Sequence, residues 1–394
     1  MVPDWISIEK QYYAQTVKRQ PVVIERGLGT RVWDVNGKEY LDFTAGWAVT
    51  NIGHSHPAIV DAITKQAATL MQTSNAFYTI PQLHLAKLLV VNSCYDKVFF
   101  GNSGAEAIEG AIKLARKYGK ANRDGAYGII TAYNSFHGRT ISTLAATGQP
   151  HYQETFRPLT PGFTHVEFNN MDQIREATSD KIAAVMLEPI QGEGGVNVPD
   201  ENYLSEVKKW CEAQGLLFIV DEVQTGMGRL GSLFGYQEYG IEPDVMALAK
   251  GLGGGVPIGA FMSKENCMSL EPGDHGSTFG GNALTTAAAY ASTKYIIDNN
   301  IPDNAKNMGN KLMQCLNDLK SVFSCIEEVR GKGLLIAIQF DGDIADRALE
   351  LVRNEGVLSN MVKPNALRLM PPLTITKQEI EEGIERIGKA LKKL

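Results

Sequence analysis

The middle of the chain alternates between short, largely apolar runs and stretches with the helical repeat of apolar positions. Apolar runs that are not broken by polar residues favour strands buried on both faces of a sheet. One stretch of helical repeat, Tyr203 to Gln214, stands between two such runs. The predicted strands are a short one from Lys97, then Gly128 to Ala132, His165 to Phe168, Ile182 to Leu187, Leu216 to Val220, Val245 to Ala249 and Ile258 to Met262. This alternation predicts an α/β fold with right-handed crossovers and a mostly parallel sheet.

The two ends of the chain have a different pattern. Near the N-terminus, β-like pieces at Val22 to Ile24 and Thr30 to Val35 precede Asn36-Gly37, which is a strong hairpin signal. Beyond about residue 285, helices and β-like runs follow one another as in an α+β unit. The predicted elements there are helices at Leu284 to Asn299, Ala305 to Val322, Ile344 to Glu355 and from Lys377, β-like runs at Ile326 to Arg330 and Gly333 to Phe340, and a strand pair around Gly356 to Leu369.

Length supports a division of the chain into domains. A chain of 394 residues suits two domains, or one large domain with a smaller partner. We expect residues 47–287 to form the large domain and residues 288–394 a small α+β domain. Residues 1–46 are expected to pack with the small domain.

Composition and charge exclude several classes of protein. The formal charge of -6 gives no general attraction to nucleic acid. Five scattered cysteines without metal-ligand spacing suit a reducing compartment, and no segment has the pattern of a signal peptide or a membrane span. We therefore expect a soluble, cytoplasmic protein whose partners are small molecules and copies of itself.

Two predicted strands end in reactive side chains. The run Leu216 to Val220 is followed by Asp221, and the run Val245 to Ala249 is followed by Lys250. Open α/β sheets bind their ligands at the carboxyl ends of their strands, which is where these two residues are expected. A lysine and an acid together suit pyridoxal phosphate, whose aldehyde forms a Schiff base with lysine and whose ring nitrogen is kept protonated by the acid. The alternative is a strand-end lysine that is salt-bridged to an aspartate.

Three other local patterns are less specific. Ser103-Gly104-Ala105 opens a predicted helix, whose free N–H groups would suit a phosphate. The glycines after Lys250 lack the G-x-G-x-x-G spacing of a dinucleotide site, which disfavours a dehydrogenase. His54 and His56 have no third ligand at helical spacing, so we favour a packing role for them and predict no metal site.

Seven motifs in one order resemble the class III pyridoxal phosphate aminotransferases of fold type I, and the resemblance covers nearly the whole chain. The chain is most similar to the acetylornithine aminotransferases, and also to the ornithine and 4-aminobutyrate aminotransferases. The motifs are SGAEAIEGAIKLAR (103–116), FHGRT (136–140), EPIQGEGG (188–195), DEVQTGMGR (221–229), LAKGLGGGVPIGA (248–260), EPGDHGSTFGGN (271–282) and LRLMPPL (367–373). This family implies a large domain with a central, mostly parallel seven-stranded sheet and a smaller α+β domain.

The resemblance also implies how the cofactor is held. Lys250 would form the Schiff base and then move the proton between Cα and C4′, while Asp221 would pair with the ring nitrogen. Gln224 would reach the ring hydroxyl and Phe136 would stack on the ring. Gly104 and Ala105, next to Ser103, would bind the phosphate through backbone N–H groups. Thr278 of the neighbouring subunit would bind the same phosphate. The resemblance therefore also predicts a homodimer that has its active sites at the subunit interface.

For the substrates, the resemblance implies two arginines. Arg139 would clamp the α-carboxylate of the amino donor through a bidentate fork. Arg368 would take the α-carboxylate of glutamate, and Glu193 would cover Arg368 while the ω-amino substrate is bound. Ser277 and Trp47 are counted with the substrate-binding residues. Glu188 is read as a structural acid.

The implied reaction has two halves. N2-acetylornithine gives its ω-nitrogen to the cofactor and leaves as N-acetylglutamate 5-semialdehyde, and 2-oxoglutarate then leaves as glutamate, as in arginine biosynthesis. Ping-pong kinetics follow. Val17 and Trp47 depart from the acetylornithine pattern near the expected substrate entrance, so other donors stay open: succinyl-diaminopimelate, carrier-linked lysine, ornithine or 4-aminobutyrate. A glutamate-1-semialdehyde type of aminomutase is a further alternative, although it has no need of the exchange between Glu193 and Arg368.

Overall fold

The computed structural model describes residues 4–394, and its N-terminal part contains a small sheet whose first three strands are antiparallel. Strands β2 and β3 pair across the turn at Asn36-Gly37, with Val32 opposite Tyr40, so the predicted hairpin is confirmed. The elements of this part are α1 Trp5–Tyr12, β1 Ile24–Leu28, β2 Arg31–Asp34, β3 Glu39–Asp42, α2 Ala45–Ala48, α3 Pro57–Ala67 and α4 Ile80–Val91. In the short α2, Ala45, Gly46, Trp47 and Ala48 all have positive φ, so it is a left-handed turn.

A seven-stranded sheet forms the centre of the molecule, in the order β4-β10-β9-β8-β7-β5-β6. Strands β9, β8, β7, β5 and β6 are parallel, and β10 is antiparallel to both of its neighbours. The strands are β4 Lys97–Gly101, β5 Gly128–Ala132, β6 Phe163–Val166, β7 Ile182–Leu187, β8 Leu217–Asp221, β9 Val245–Leu248 and β10 Gly259–Ser263. The helices that connect them are α5 Gly104–Asn122, α6 Ile141–Ala146, α7 Pro150–Gln153, α8 Met171–Ala177 and α9 Tyr203–Gln214. The prediction of a mostly parallel α/β sheet is confirmed.

Some predicted boundaries were wrong. The strand predicted at residues 165–168 ends at Val166, and Phe168 beyond it packs edge-on against Tyr203, with 5.3 Å between the ring centroids. The helix predicted from residue 305 begins at Ile301 because Pro302 occupies its first turn, where the missing N–H has no helical partner to lose. Neither change alters the strand order.

The C-terminal part adds a four-stranded antiparallel sheet in the order β11-β12-β15-β14. Strand β13 instead pairs in parallel with β3, with Val357 opposite Leu41, so the N-terminal sheet is completed by a late strand. The elements are α10 Ala283–Asp298, α11 Ile301–Val322, β11 Ile326–Lys332, β12 Leu335–Phe340, α12 Ala345–Asn354, β13 Val357–Leu358, β14 Asn360–Lys363, β15 Ala366–Leu369 and α13 Lys377–Leu391. The domain bounds given above stay a prediction.

Burial follows the predicted apolar runs. Every residue of β7 and β8 is buried, as expected for strands that are covered by helices on both faces. The acidic residues at or just after their carboxyl ends, Asp221 and Glu188, are buried as well, so they need polar partners. Between residues 4 and 394, no helix is both long and apolar enough to cross a membrane.

Candidate active site

A cavity of about 420 Å³ lies at the carboxyl ends of the parallel strands. It is lined by residues from the loops after β4, β5, β7, β8 and β9. The predicted site residues that line it are Ser103, Gly104, Ala105, Phe136, Arg139, Glu193, Asp221, Gln224 and Lys250. These residues are spread over 148 positions of the chain, from Ser103 to Lys250, and the fold brings them together around one cavity.

Asp221 and Lys250 are placed by neighbouring strands. Asp221 is the last residue of β8, in register with Ala247 of β9, and Lys250 follows β9 by two residues. Lys250 has a φ of 44°, a left-handed conformation that a lysine adopts only under tertiary constraint. Burial lowers the pKa of Lys250, although the negative charge of Glu193 works against this change. Lowering the pKa makes an unprotonated, nucleophilic amine easier to reach.

His137 lies directly against Asp221, with 2.7 Å between Nδ1 of the histidine and Oδ2 of the aspartate. The second oxygen, Oδ1, accepts the backbone N–H of Val223 at 3.0 Å. Both side chains are buried, and Nε2 of His137 has no hydrogen-bond partner in the described part of the chain. Sequence reasoning missed this contact, although the histidine is the second residue of FHGRT.

The N-terminus of α5 forms one wall of the cavity. Ser103 caps this 19-residue helix, and its Oγ accepts the N–H of Glu106 at 3.2 Å. A Cβ on Gly104 would lie 3.0 Å from Cγ1 of Val223, so a side chain there would crowd the wall. The backbone N–H groups of Gly104 and Ala105, which line the cavity, stay open to an anion there.

Glu188, at the end of β7, holds the loop that carries Phe136. Its Oε2 accepts the backbone N–H of Phe136 at 3.1 Å, and its Oε1 accepts that of Gly192 at 3.4 Å. Burial, followed by the charge of Asp221, raises the pKa of Glu188 well above its usual value. These contacts fit the structural role that the sequence suggested.

Arg368 and Glu193 form an ion pair, with 2.7 Å between Nη1 and Oε1. Gln224 joins them, since its Oε1 accepts from Nη1 of Arg368 at 3.0 Å and its Nε2 donates to Glu193 at 3.1 Å. Gln224 was expected at the ring hydroxyl of the cofactor, but here its amide binds the ion pair. The Arg368 side chain is fully buried, and its Nη2 has no hydrogen-bond partner within residues 4–394. This free N–H group can donate to a carboxylate.

Arg139 is exposed and packs over two aromatic rings. Its guanidinium carbon lies 3.9 Å from the ring centroid of Tyr152 and 5.3 Å from that of Phe136. Such stacking fixes the plane of the guanidinium while leaving its N–H groups free for a ligand.

Four predicted residues do not line the cavity in the single chain: Arg368, whose partners Glu193 and Gln224 do line it, and Thr278, Ser277 and Trp47. Thr278 is exposed, and its carbonyl accepts a hydrogen bond from Gln72 at 2.6 Å. The Oγ of Ser277 accepts from Asn102 at 3.1 Å, and Asn102 does line the cavity. Trp47 is 53% exposed in the left-handed turn that precedes the lining residue Val49.

The residues fit pyridoxal phosphate. The cavity combines an amine of lowered pKa, a buried carboxylate at the neighbouring strand end and an open helix N-terminus. His54 and His56 lie elsewhere: Nε2 of His54 is 2.7 Å from Asp42, and His56 caps α3.

The chain is similar over nearly its whole length to known aminotransferases. The family model described as Aminotransferase class-III matches residues 12–391. The acetylornithine aminotransferase of Methanocaldococcus jannaschii is 49% identical over 392 residues, covering 98% of this chain and 97% of that protein. The solved ornithine aminotransferase of Toxoplasma gondii ME49 superposes with a TM-score of 0.95 at 37% identity, covering 99% of this chain and 94% of that one. The acetylornithine aminotransferase of Elizabethkingia anophelis superposes with a TM-score of 0.88 at 35% identity, covering 99% and 98%.

Proposed function

Because the chain belongs to the class-III aminotransferases, which depend on pyridoxal phosphate, we propose that it transfers the ω-amino group of N2-acetylornithine to 2-oxoglutarate. The products are N-acetylglutamate 5-semialdehyde and glutamate. The acetylornithine aminotransferase of M. jannaschii, at 49% identity over nearly the full chain, supports this choice of donor. The reaction belongs to arginine biosynthesis.

The residues around the cavity have separate tasks. When bound, pyridoxal phosphate supplies an aldehyde that takes up an amino group and a ring that accepts electrons. Lys250 would hold the cofactor and move the proton at the carbon that carries the reacting amino group, and Asp221 would face the ring nitrogen. Ser103, Gly104 and Ala105 would bind the phosphate, while Phe136 would cover the ring.

The ion pair of Arg368 and Glu193 is the observation that carries the proposal. A transaminase of this kind uses two different substrates in one cavity. The ω-amino donor has no carboxylate next to the reacting carbon, whereas the acceptor, 2-oxoglutarate, has one. With 2.7 Å between Arg368 and Glu193, the arginine is neutralised for the first substrate. A carboxylate of the second substrate can displace Glu193 and also use the free Nη2 of Arg368. Arg139 would bind the distal carboxylate of either substrate.

A homodimer completes the proposal. The segment around residues 70–83 and the loop of Thr278 expose large apolar side chains, which suit burial against a second copy. The most exposed are Met71 at 55%, Phe77 at 67%, Tyr78 at 92%, Ile80 at 71% and Phe279 at 61%. Thr278 would then bind the cofactor phosphate of the neighbouring subunit, with Ser277 and Trp47 near the substrate entrance of the assembled site.

The experiment is an assay of the purified holoenzyme with N2-acetylornithine and 2-oxoglutarate. We expect one glutamate per acetylornithine consumed, with ping-pong kinetics, and no turnover or visible absorbance of bound cofactor in K250A. Conversion of a single substrate without an external acceptor would instead indicate an aminomutase.

Ornithine is the second candidate donor, because the ornithine aminotransferase of T. gondii superposes with a TM-score of 0.95. A panel of ω-amines with 2-oxoglutarate separates the two, since acetylornithine must have the highest kcat/KM for the proposal to stand. The proposed location is the cytoplasm, in keeping with five cysteines that form no disulfide within the described residues.

A further inference from the structure

Arg330 and Arg368 lie in one row across the C-terminal sheet. Arg330 of β11 is opposite Ala337 of β12, and Ala337 is opposite Arg368 of β15. Residues that are directly opposite share a face of the sheet, so both arginines project to the same side, about 10 Å apart. Only the small Ala337 stands between them.

Both arginines bind the same hairpin, residues 191–197, which carries Glu193 and which we call the gate hairpin. Its ends pair through the backbone of Gln191 and Asn197, with both N–H to O distances at 3.1 Å. Val196 within it is buried in one apolar cluster with Ala337, so the hairpin rests on the row between the two arginines. Its backbone is also strained, because Val196 has a φ of 58°.

The two arginines hold different parts of the gate hairpin. Arg368 binds the Glu193 side chain, a contact that a substrate carboxylate can replace. Arg330 binds backbone: its Nη2 donates to the carbonyl of Gly195 at 2.7 Å, and its Nε donates to those of Gly195 and Val196 at 3.1 and 3.2 Å. Its Nη1 is held by Glu328 and Gln339, each at 2.6 Å. A planar guanidinium that is fixed on both sides keeps the hairpin backbone in place.

We propose that Arg330 is a positioning residue that sets the selectivity between the two substrates, by fixing the gate hairpin so that only the Glu193 side chain moves during the exchange. This inference rests on the proposed function, in which Glu193 covers Arg368 while the ω-amine reacts. With the backbone held, the carboxylate of Glu193 is always within reach of Arg368 and closes over it at little entropic cost. Without Arg330, the hairpin samples other positions and Glu193 competes less well for Arg368.

The test has two readouts that must move in opposite directions. In R330Q holoenzyme, kcat/KM for N2-acetylornithine should fall about tenfold relative to that for glutamate, the size expected for losing a charged hydrogen-bond clamp. The affinity for glutarate, a dicarboxylate that needs Arg368 free, should rise when measured by calorimetry. R330K keeps the charge but not the fork, so it should change in the same directions by a smaller factor.

R347Q is the matched control, because Arg347 is an exposed arginine of α12 that pairs only with Glu350 among the described ion pairs. It should leave both readouts unchanged. Two outcomes would overturn the inference. The first is a loss of activity towards both donors by the same factor in R330Q and R330K, together with weaker glutarate binding, which would show a general structural role. The second is no change in either readout. Failure of the proposed function would appear separately, as a wild-type enzyme that does not transfer nitrogen from N2-acetylornithine.

Discussion

Nδ1 of His137 lies 2.7 Å from Oδ2 of Asp221, at the buried end of β8. The carboxylate that we propose to face the ring nitrogen of the cofactor is thus held by a donor from His137. The contact fixes the orientation of Asp221 and partly offsets the desolvation of its charge.

Removal of this donor should impair catalysis while the fold remains. H137L should lower kcat/KM by about 10- to 100-fold, the cost of leaving a buried carboxylate without a charged hydrogen bond. H137N is the comparison, because the asparagine amide can place a donor near the position of Nδ1, and it should recover most of the loss. Cofactor affinity, measured by absorbance titration, should follow the same order. Equal activity of H137L and wild type would remove His137 from this role.

Arg139→Lys should lose most of kcat/KM for the amino donor. Its guanidinium lies 3.9 Å from the ring centroid of Tyr152, and lysine can reproduce neither this stacking nor the bidentate fork. We expect a loss on the order of 2 to 4 kcal/mol in transition-state binding, seen in steady-state kinetics with N2-acetylornithine. Y152F, which keeps the ring, should stay close to wild type, whereas Y152L should show part of the loss. An unchanged kcat/KM in Arg139→Lys would place the arginine outside the substrate site.

Much of the fold followed from the sequence because buried parallel strands are apolar at nearly every position. The predicted placement of Asp221 and Lys250 at the ends of two buried strands matches the structure for this reason, and the structure adds that the two strands are neighbours. The partner of Asp221 did not follow, because His137 lies 84 residues away and nothing in FHGRT shows which strand end its ring faces. The proposed role of Arg330 could not be predicted either, since it depends on the register of three strands.

Thr278 provides a test of the dimer, because in the single chain it lies outside the cavity that contains Lys250. T278E would place a negative charge against the phosphate, so T278E and K250A homodimers should both be nearly inactive. If Thr278 serves the neighbouring subunit, a hybrid of the two contains one site with both native residues. Subunit exchange at equal amounts should then restore roughly a quarter of wild-type activity, since half of the dimers are hybrids with one good site. No restoration in verified hybrids would contradict the shared site.

Glu222 should make stability depend on pH. It is buried beside Asp221, and its carboxylate accepts the backbone N–H groups of Gly235 and Tyr236. Burial raises the pKa of Glu222 to about 7, although these hydrogen bonds oppose the change. The folded protein therefore binds a proton more tightly than the unfolded chain does. Its contribution to stability is complete below about pH 4.5 and is lost as the pH rises through about 7.

The unfolding free energy of wild type should consequently fall, relative to that of E222Q, by on the order of 3 kcal/mol between those pH values. Urea unfolding at fixed protein and cofactor concentration measures the difference. E201Q, which removes an exposed carboxylate, is the control and should keep the pH dependence of wild type. Parallel curves for wild type and E222Q would refute the assignment.

Glu193 should remain charged throughout the working range of the enzyme. Burial alone would raise its pKa, but the positive charges of Arg368 and Lys250 outweigh this effect and hold the pKa of Glu193 at about 2. Since the folded pKa is depressed, the stabilisation by this pair is present above the ordinary carboxylate pKa and is lost only as the pH falls towards 2. Selectivity for N2-acetylornithine over glutamate should therefore not vary between about pH 6 and about pH 9 through titration of Glu193.

In E193Q the charge is absent at every pH, Arg368 is no longer neutralised, and the selectivity ratio should fall about tenfold. Measurement of kcat/KM for both donors at several pH values checks both statements. The prediction fails if the wild-type selectivity ratio collapses at pH 6 while the ratio of E193Q stays constant. That result would show that the Glu193 carboxylate titrates and that Arg368 does not hold it ionised.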